Sequence, residues 1–558
     1  MTVKEKGHKG HKGAGSGASA KIGAADNITI LEPACKISLE DFNAGADAAW
    51  SLQQEPPLGV VPPDEVLQAL EENEDGDAAL FVRLFKGKRL YDHSAGVDEA
   101  WYYWNDHFWR EDKLLHVYGL TKEVVRQYYQ ERQRNHWKLN NLKHNKDLSD
   151  FDREEQEKIL QSQIKLLRIR ETTMQTLKRK SNILRLAAMG TESLGYVGTG
   201  WDANPWLLGC RNGVIDLKTG KRRDGRPEDY IKTISPIVWD EAATCPDWKA
   251  FLFEIFEEDQ EMVDFLQRLL GYAISGLRTE HIFPIFWGDR GRNGKGTIFE
   301  TLKYILGEMA YKAPIALLMQ QNIMATSGGS SNSALMKFRG ARIVWASESN
   351  KKDKLDSARI KEFSGGDTIS SRNPYGRKQI EFTPTHTLFM LVNPLPHVDA
   401  EDDALWQRVI LFPLNLSFVA DPDPKNPYER QQDTTLESRL KAEAPGILNW
   451  LVEGNQLYQK HGLNPPEKSR AAAIKYRQAE DLLRGFIEDK CVIEMGNQTF
   501  RVKPQELYNA YKSWCSDAGY KSLNQKHFYE SIRRKFGAEV KSHGIKTFRG
   551  ITTLTGIL

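Results

Sequence analysis

The apolar pattern changes period between residues 284 and 307. Pro284 to Trp287 is a short continuous apolar run, the signature of a strand buried on both faces. Gly288-Asp289-Arg290-Gly291-Arg292-Asn293-Gly294-Lys295-Gly296-Thr297 follows with no apolar side chain. Ile298, Leu302 and Ile305 then recur at helical spacing, and Gly307 stands where a helix would stop. Three more apolar runs predict strands downstream. They are Ala341 to Ala346, ending in Ser347-Glu348; Thr387 to Val392, ending in Asn393; and Val409 to Pro413, after a short helix that ends at Arg408. Gly365 to Phe382 reads as a β-hairpin with Asn373-Pro374-Tyr375-Gly376 at its tip.

Upstream the pattern is more mixed. Leu80 to Phe85 suits a helix or a strand. Trp101 to Trp104 and Phe108 to Arg110 predict two strands about a turn at Asn105-Asp106. Their aromatics can stack on bases, but the core of a small domain is the favoured reading. Residues 121–136 and 153–186 predict charged helices with a partial stripe of Leu160, Ile164, Leu167 and Ile169. Their cations Lys165, Arg168, Arg170, Lys178, Arg179 and Lys180 read as a solvated face or a subunit contact. Trp206 to Gly220 predicts strands with turns at Asn212-Gly213 and Thr219-Gly220. Met262, Leu266, Leu269, Leu270 and Ala273 keep the spacing of one buried helical face, and residues 199–280 show no catalytic constellation.

At 558 residues the chain needs several cores. Its net charge is only +2, so affinity for nucleic acid must come from local patches. Five cysteines are scattered with no Cys-x-x-Cys pair, against structural zinc and a disulfide framework, and a reducing cytoplasm fits. No apolar run is long enough to cross a bilayer, and the N-terminus lacks a signal-peptide apolar core.

The loop from Gly288 to Thr297 has the chemistry of a phosphate cradle. Glycines admit phosphate oxygens to backbone N–H groups, a helix N-terminus adds positive potential, and Lys295 reaches the outer phosphates. Five residues separate Gly288 from Gly294 where four are usual, and Gly296 replaces the hydroxyl that normally follows the lysine. Thr297 is the nearest hydroxyl, which leaves the metal ligand open. Glu348, at a strand end, suits polarising water or holding a metal through water. Ser347 occupies the place where many such enzymes carry a second acid. Asn393 can orient water or a phosphate oxygen without competing for the metal, or it is a turn former before Pro394. Arg408 can stabilise a transferring phosphoryl group from a neighbouring subunit. Arg372, Tyr375, Arg377 and Lys378 at the hairpin tip suit sugar-phosphate and base contacts.

These blocks resemble superfamily 3 helicases of the phage, plasmid and poxvirus primase–helicase type from about Gly200 to Pro413. The resemblance implies an AAA+-like α/β ATPase that assembles as a ring, usually a hexamer. It implies ATP and Mg2+ as cofactors, and single-stranded and forked DNA as partners. Under it, Gly288, Gly291, Asn293, Gly294, Lys295, Gly296 and Thr297 bind nucleotide, with Thr297 and Glu348 at the metal. Lys295, Glu348 (the Walker B acid), Asn393 (the sensor) and Arg408 (a finger acting in trans) are the catalytic set. The paired carboxylates and histidine of a primase–polymerase domain are not found in residues 1–190, so primase activity is not expected in this chain, and a separate primase or other replication proteins stay open as partners.

After Asn464-Pro465-Pro466, Leu507, Tyr508, Tyr511, Trp514 and Cys515 form one helical face, and Phe528, Ile532 and Phe536 a second. Val540 to Ile551 suits a two-stranded wing turning at His543-Gly544. Lys521 to Arg549 holds eight Lys or Arg against two Asp or Glu. Helix, recognition helix and basic wing predict a winged helix, with Lys526, Tyr529, Arg533 and Arg534 toward DNA.

The expected fold class is therefore multidomain α/β, an AAA+-like P-loop ATPase core with an N-terminal α+β accessory or collar region and a C-terminal winged helix. Its expected parts are a disordered tail (1–48), an accessory domain (49–190), a lead-in domain (191–280), the ATPase (281–464) and the winged helix (465–558). The expected function is an ATP-dependent replicative helicase of a phage, plasmid or related mobile element, in the host cytoplasm. The alternatives are an origin-binding initiator with little unwinding activity and a metabolic P-loop enzyme.

Overall fold

The structure, a computed structural model, describes residues 61–558 apart from 94–99, 143–149, 199, 321–332, 349–352, 372–379, 495–498, 521, 538, 543–544 and 555–558. The expected tail at 1–48 and the hairpin-tip residues Arg372, Tyr375, Arg377 and Lys378 lie outside the described residues.

Helix α1 (Pro63–Glu71) packs on α2 (Glu74–Phe85), and α2 lies against one face of a small sheet through Phe81 and Phe85. Strands β1 (Arg89–Asp92), β2 (Ala100–Asn105) and β3 (Phe108–Glu111) form its antiparallel part. Strand periodicity divides the aromatics of β2. Trp101 and Tyr103 are buried, with Trp101 against Phe81. Tyr102 and Trp104 pack on the other face with Trp109, and Trp201 closes over Tyr102 and Trp109. The aromatic cluster is thus core, as favoured.

The charged helices are α3 (Val117–Leu142), α4 (Asp150–Thr173) and α5 (Leu177–Ala187). The single helix expected over 153–186 is two, because Thr176 caps α5 by accepting from the Arg179 N–H. Arg170 and Arg179 also correct the expectation of a solvated face. Arg170 Nη1 donates to the buried Asp77 at 2.7 Å, and Arg179 Nε donates to it at 2.8 Å. Tyr128 Oη adds a third hydrogen bond at 2.7 Å. Two guanidiniums and a phenol thereby compensate one desolvated carboxylate.

Strand β4 (Gly195–Tyr196) pairs with β1, so the small sheet takes strands from both sides of residue 190. A second sheet combines β5 (Leu207–Cys210), β6 (Gly213–Asp216), β7 (Lys221–Arg223) and β8 (Ile234–Ser235) in the order β7-β6-β5-β8. Helices α6 (Pro246–Ile255) and α7 (Gln260–Ser275) then lead into the central layer.

That layer is a five-stranded parallel sheet. Its strands are β9 (Phe283–Trp287), β10 (Ala310–Ala313), β11 (Ile343–Ser347), β14 (Thr387–Val392) and β15 (Val409–Pro413), in the order β10-β11-β14-β9-β15. Helix α8 (Lys295–Leu306) follows β9. Ser333–Met336 (α9) and α10 (Ser357–Ser364) precede the hairpin of β12 (Ile369–Ser371) and β13 (Ile380–Phe382). Asp403–Trp406 (α11) precedes β15. Beyond it come the paired β16 (Ser417–Val419) and β17 (Glu429–Gln431), then α12 (Leu436–Ala442), α13 (Ala444–His461) and α14 (Glu467–Glu480).

One face of the central sheet packs on α7, α8 and α13. There Phe286 stacks on Phe412 at 4.6 Å, and Phe412 stacks on Phe265 at 5.1 Å. The other face packs Ile360, Phe363, Trp406 and Tyr476. Helix α14 therefore joins the central core, although residue 465 was expected to open a separate module.

The C-terminal module has α15 (Leu482–Lys490), β18 (Cys491–Ile493), β19 (Arg501–Val502), α16 (Pro504–Asp517) and α17 (Gln525–Phe536). Strands β20 (Val540–Ser542), β21 (Ile545–Arg549) and β22 (Ile551–Thr553) complete it. Leu507, Tyr511, Cys515, Phe528 and Ile532 are buried together, as the periodicity predicts. Where a two-stranded wing was expected the sheet has three strands, because β19 adds to β21 beside β20. Among the described residues, no helix is long and apolar enough to cross a membrane.

Candidate functional site

Parallel strands bring their C-terminal ends to one edge of the sheet, where ligands of such sheets bind. The glycine-rich loop leaves β9 at that edge. Arg292 (φ 59°) and Gly294 (φ 81°) both take left-handed conformations, which fold the loop into the start of α8. Asn293 is buried and donates from Nδ2 to the Arg290 carbonyl at 2.7 Å. A Cβ on Gly288 would lie 2.2 Å from that Nδ2, so the position requires glycine. A Cβ on Gly291 or Gly296 would meet nothing within 4 Å, which leaves room beside the loop for a ligand.

Lys295 opens α8 and is 8% exposed. Its Nζ donates to Asn393 Oδ1 at 2.8 Å, just past the end of β14. Burial pulls its ammonium down to about 8. Among the described residues this desolvated lysine is held by a neutral amide and bonded to no carboxylate, so it lacks an anionic partner there.

A cavity of about 630 Å³ opens from this point. The loop from Arg292 to Thr297 and Asn393 line one part of it. Asp247, Phe251 and Glu254 of α6 line the rest with Phe418 and the segment 431–439. Arg439 of α12 binds Asp247 and Asp433. Hydrogen bonds from the Thr435 hydroxyl and main chain, then from Arg439, hold the Asp433 carboxyl down to about 2. Sequence reasoning missed this wall. Asp247, Phe251 and Glu254 stand at i, i+4 and i+7, a helical face that reads as surface until its neighbour is known.

The remaining expected residues divide. Gly288, Gly291, Asn293, Gly294, Lys295, Gly296 and Thr297 belong to the loop and helix start, and Asn393 joins them through Lys295. Glu348 follows β11 at the same edge, with its N–H donating to the Leu391 carbonyl at 3.2 Å. It is exposed, left-handed (φ 71°), and absent from the cavity wall. Arg408 precedes β15 and so lies at the opposite edge, its carbonyl accepting from the Phe283 N–H. Its Nε donates to the Ala404 carbonyl at 3.3 Å, and its buried Nη1 has no partner among the described residues. One copy of the chain therefore does not bring Arg408 to Lys295.

In the C-terminal module Lys526 is exposed. Tyr529 is half-buried against Tyr508 and Phe548 and accepts from Gln525 Nε2 at 2.9 Å. Arg533 pairs with Glu539 at 2.6 Å, and Arg534 pairs with Glu401 of the central domain at 3.1 Å. Both arginines, expected to face DNA, are thus already engaged by carboxylates in this arrangement.

Residues 78–257 match the family described as "D5 N terminal like", and residues 478–550 the family described as "Poxvirus D5 protein-like". Residues 286–408 match a family of unknown function. The chain is 30% identical over 327 residues to a "Putative helicase" of Acanthamoeba polyphaga mimivirus, covering 56% of this chain and 33% of that protein. It is 24% identical over 504 residues to a "Putative helicase" of Invertebrate iridescent virus 3, covering 82% and 52%. It is also 24% identical over 348 residues to a "Putative primase" of African swine fever virus (strain Badajoz 1971 Vero-adapted), covering 60% and 36%. The chain spans about a third to a half of these relatives. These relatives are proteins of viruses. The apo C-terminal region of NrS-1 superposes with a TM-score of 0.38 at 14% identity, covering 66% of this chain and 88% of that one, a likeness too slight to carry an argument.

Proposed function

We propose, on the premise that this chain is of the D5-like primase–helicase type, that it hydrolyses ATP to move along single-stranded DNA and open duplex at a replication fork. The observation that carries this reading is the buried Lys295, tied to Asn393 on the floor of a cavity large enough for a nucleoside triphosphate. The phosphates lie on the loop and against Lys295, and the base lies against Phe251 and Leu436. Asn393 releases Lys295 to the phosphates and orients a phosphate oxygen. Arg439 can exchange its carboxylate partners for a phosphate.

Thr297 and Glu348 supply oxygen donors at one edge of the sheet, which suits a cation that keeps most of its waters. When bound, Mg2+ neutralises charge on the phosphates. Glu348 accepts the proton of the attacking water. Arg408 reaches the phosphates of a neighbouring copy, so a ring, a hexamer in the simplest case, completes each site. The hairpin of β12 and β13 contacts the translocating strand through its tip, and the C-terminal module, read as a winged helix, binds DNA through Lys526 and the wing.

Lys295→Ala is expected to abolish DNA-stimulated ATP hydrolysis while the oligomer still forms, measured by phosphate release and light scattering. Full turnover by that variant would refute the assignment. Strand displacement on forked and blunt duplexes separates a helicase from an initiator that only binds.

A further inference from the structure

Helix α4 packs on α3 through one face and, among the described residues, leaves a second face bare. On the packed face Arg132 of α3 pairs with Glu171 at 2.7 Å, Asn135 donates to Gln163 at 3.1 Å, and Leu167 is fully buried. On the bare face Ile159, Leu166 and Ile169 are 51%, 51% and 50% exposed. With Ser162 they follow one another at steps of three, four and three residues, the spacing by which one helix packs along another. Scattered apolar side chains at a surface need no partner, but a continuous row marks a contact.

Charge along α4 says what fits this row. Residues 150–157 hold five Asp or Glu against Arg153 alone, and residues 158–170 hold four Lys or Arg and no acid. Acid at the N-terminus and base toward the C-terminus suit the helix dipole, which does not account for the outward apolar row. The same polarity makes the row complementary to its own reverse. A second α4 laid antiparallel about Ser162 sets Ile159 against Leu166 twice, and brings Glu154 and Glu155 beside the half that carries Arg168 twice. A parallel copy would set Lys165 and Arg168 against their own counterparts, like charge on like.

We propose that the outer face of α4 is a self-docking surface, through which two copies of this chain meet as antiparallel helices about a two-fold axis at Ser162. The contact is independent of the ATP reading. It is also distinct from any head-to-tail contact between copies, because a two-fold axis joins identical surfaces.

The test is oxidative cross-linking of the full chain in a Cys35→Ser background, the other four cysteines being buried. Ser162→Cys should give a disulfide-linked dimer, because its own counterpart faces it. Leu166→Cys alone should not. Antiparallel packing sets the two copies of residue 166 about 12 Å apart along the helix axis, beyond the reach of a disulfide. Leu166→Cys mixed with Ile159→Cys should cross-link. Leu166→Glu should weaken self-association about tenfold or more in sedimentation, the worth of one buried leucine side chain, and leave nucleotide affinity unchanged. No cross-link with Ser162→Cys overturns the inference, whether residues 1–60 of the same chain or a different protein cover the row. Cross-linking by Leu166→Cys alone overturns it as well, as the mark of a parallel pair.

Discussion

Lys295 gives the most direct measurable consequence. Burial holds its ammonium down to about 8, and phosphates bind the charged form. Nucleotide affinity should therefore hold near pH 7 and fall as pH rises through 8 to 9, by up to about tenfold per unit. Binding near pH 8 should take up protons, which calorimetry in buffers of different ionisation enthalpy will register. Lys295→Met should bind weakly with a flat profile over that range.

His386 acts in the opposite pH direction. Burial, then the neighbouring Arg278 cation, pushes its imidazole down to about 3. Both ring nitrogens are buried away from solvent. The unfolded chain binds that proton near 6.5. Stability from this group is thus complete above about pH 6.5 and is lost as pH falls toward 3, with a limiting slope of about 1.4 kcal/mol per unit. Urea midpoints at pH 6.5 and 5 should show a smaller decline for His386→Leu. The histidine was not legible in advance. Its burial comes from Phe338, 48 residues away in sequence, packing edge-on at 4.7 Å.

Local elements were legible where period and punctuation agreed. The run to Trp287, the glycine loop and the recurrence from Ile298 to Ile305 became β9, the turn and α8, with Gly307 at the helix end. The cavity wall was not legible, because only tertiary packing brings α6 beside the loop. Close packing of α7 on α13 was hidden for the same reason. A Cβ on Gly271 would fall 2.1 Å from the Asn455 nitrogen, and one on Gly454 would fall 2.2 Å from the Gln267 carbonyl oxygen. Gly271→Ala, which raises helix propensity, should nevertheless destabilise by about 1–3 kcal/mol through overpacking, read from denaturant midpoints. Asp77→Ala should cost more, about 3–5 kcal/mol, because it leaves Arg170 and Arg179 without their shared carboxylate.

Across the chain, module boundaries were the least legible feature. Linker composition marks exposed chain but not which core an adjacent helix joins. Tyr476 of α14 packs on Trp406, so the core continues beyond Pro465-Pro466. The separation of Arg408 from Lys295 supports a subunit-spanning reaction. Mixing inactive Arg408→Ala with inactive Lys295→Ala should restore part of the turnover, since some interfaces then pair an intact lysine with an intact arginine. No recovery in mixed oligomers, confirmed by subunit exchange, would mean that Arg408 does not act in trans.

Lys295 and Arg408 occupy opposite rims of one parallel sheet, and under the proposed function this gives each copy a donor side and an acceptor side. Mutually facing pairs cannot satisfy both, so stacking copies all the same way round is the only scheme that wastes neither. A copy disabled on a single rim would then act as a chain terminator, poisoning growth or closure at substoichiometric dose.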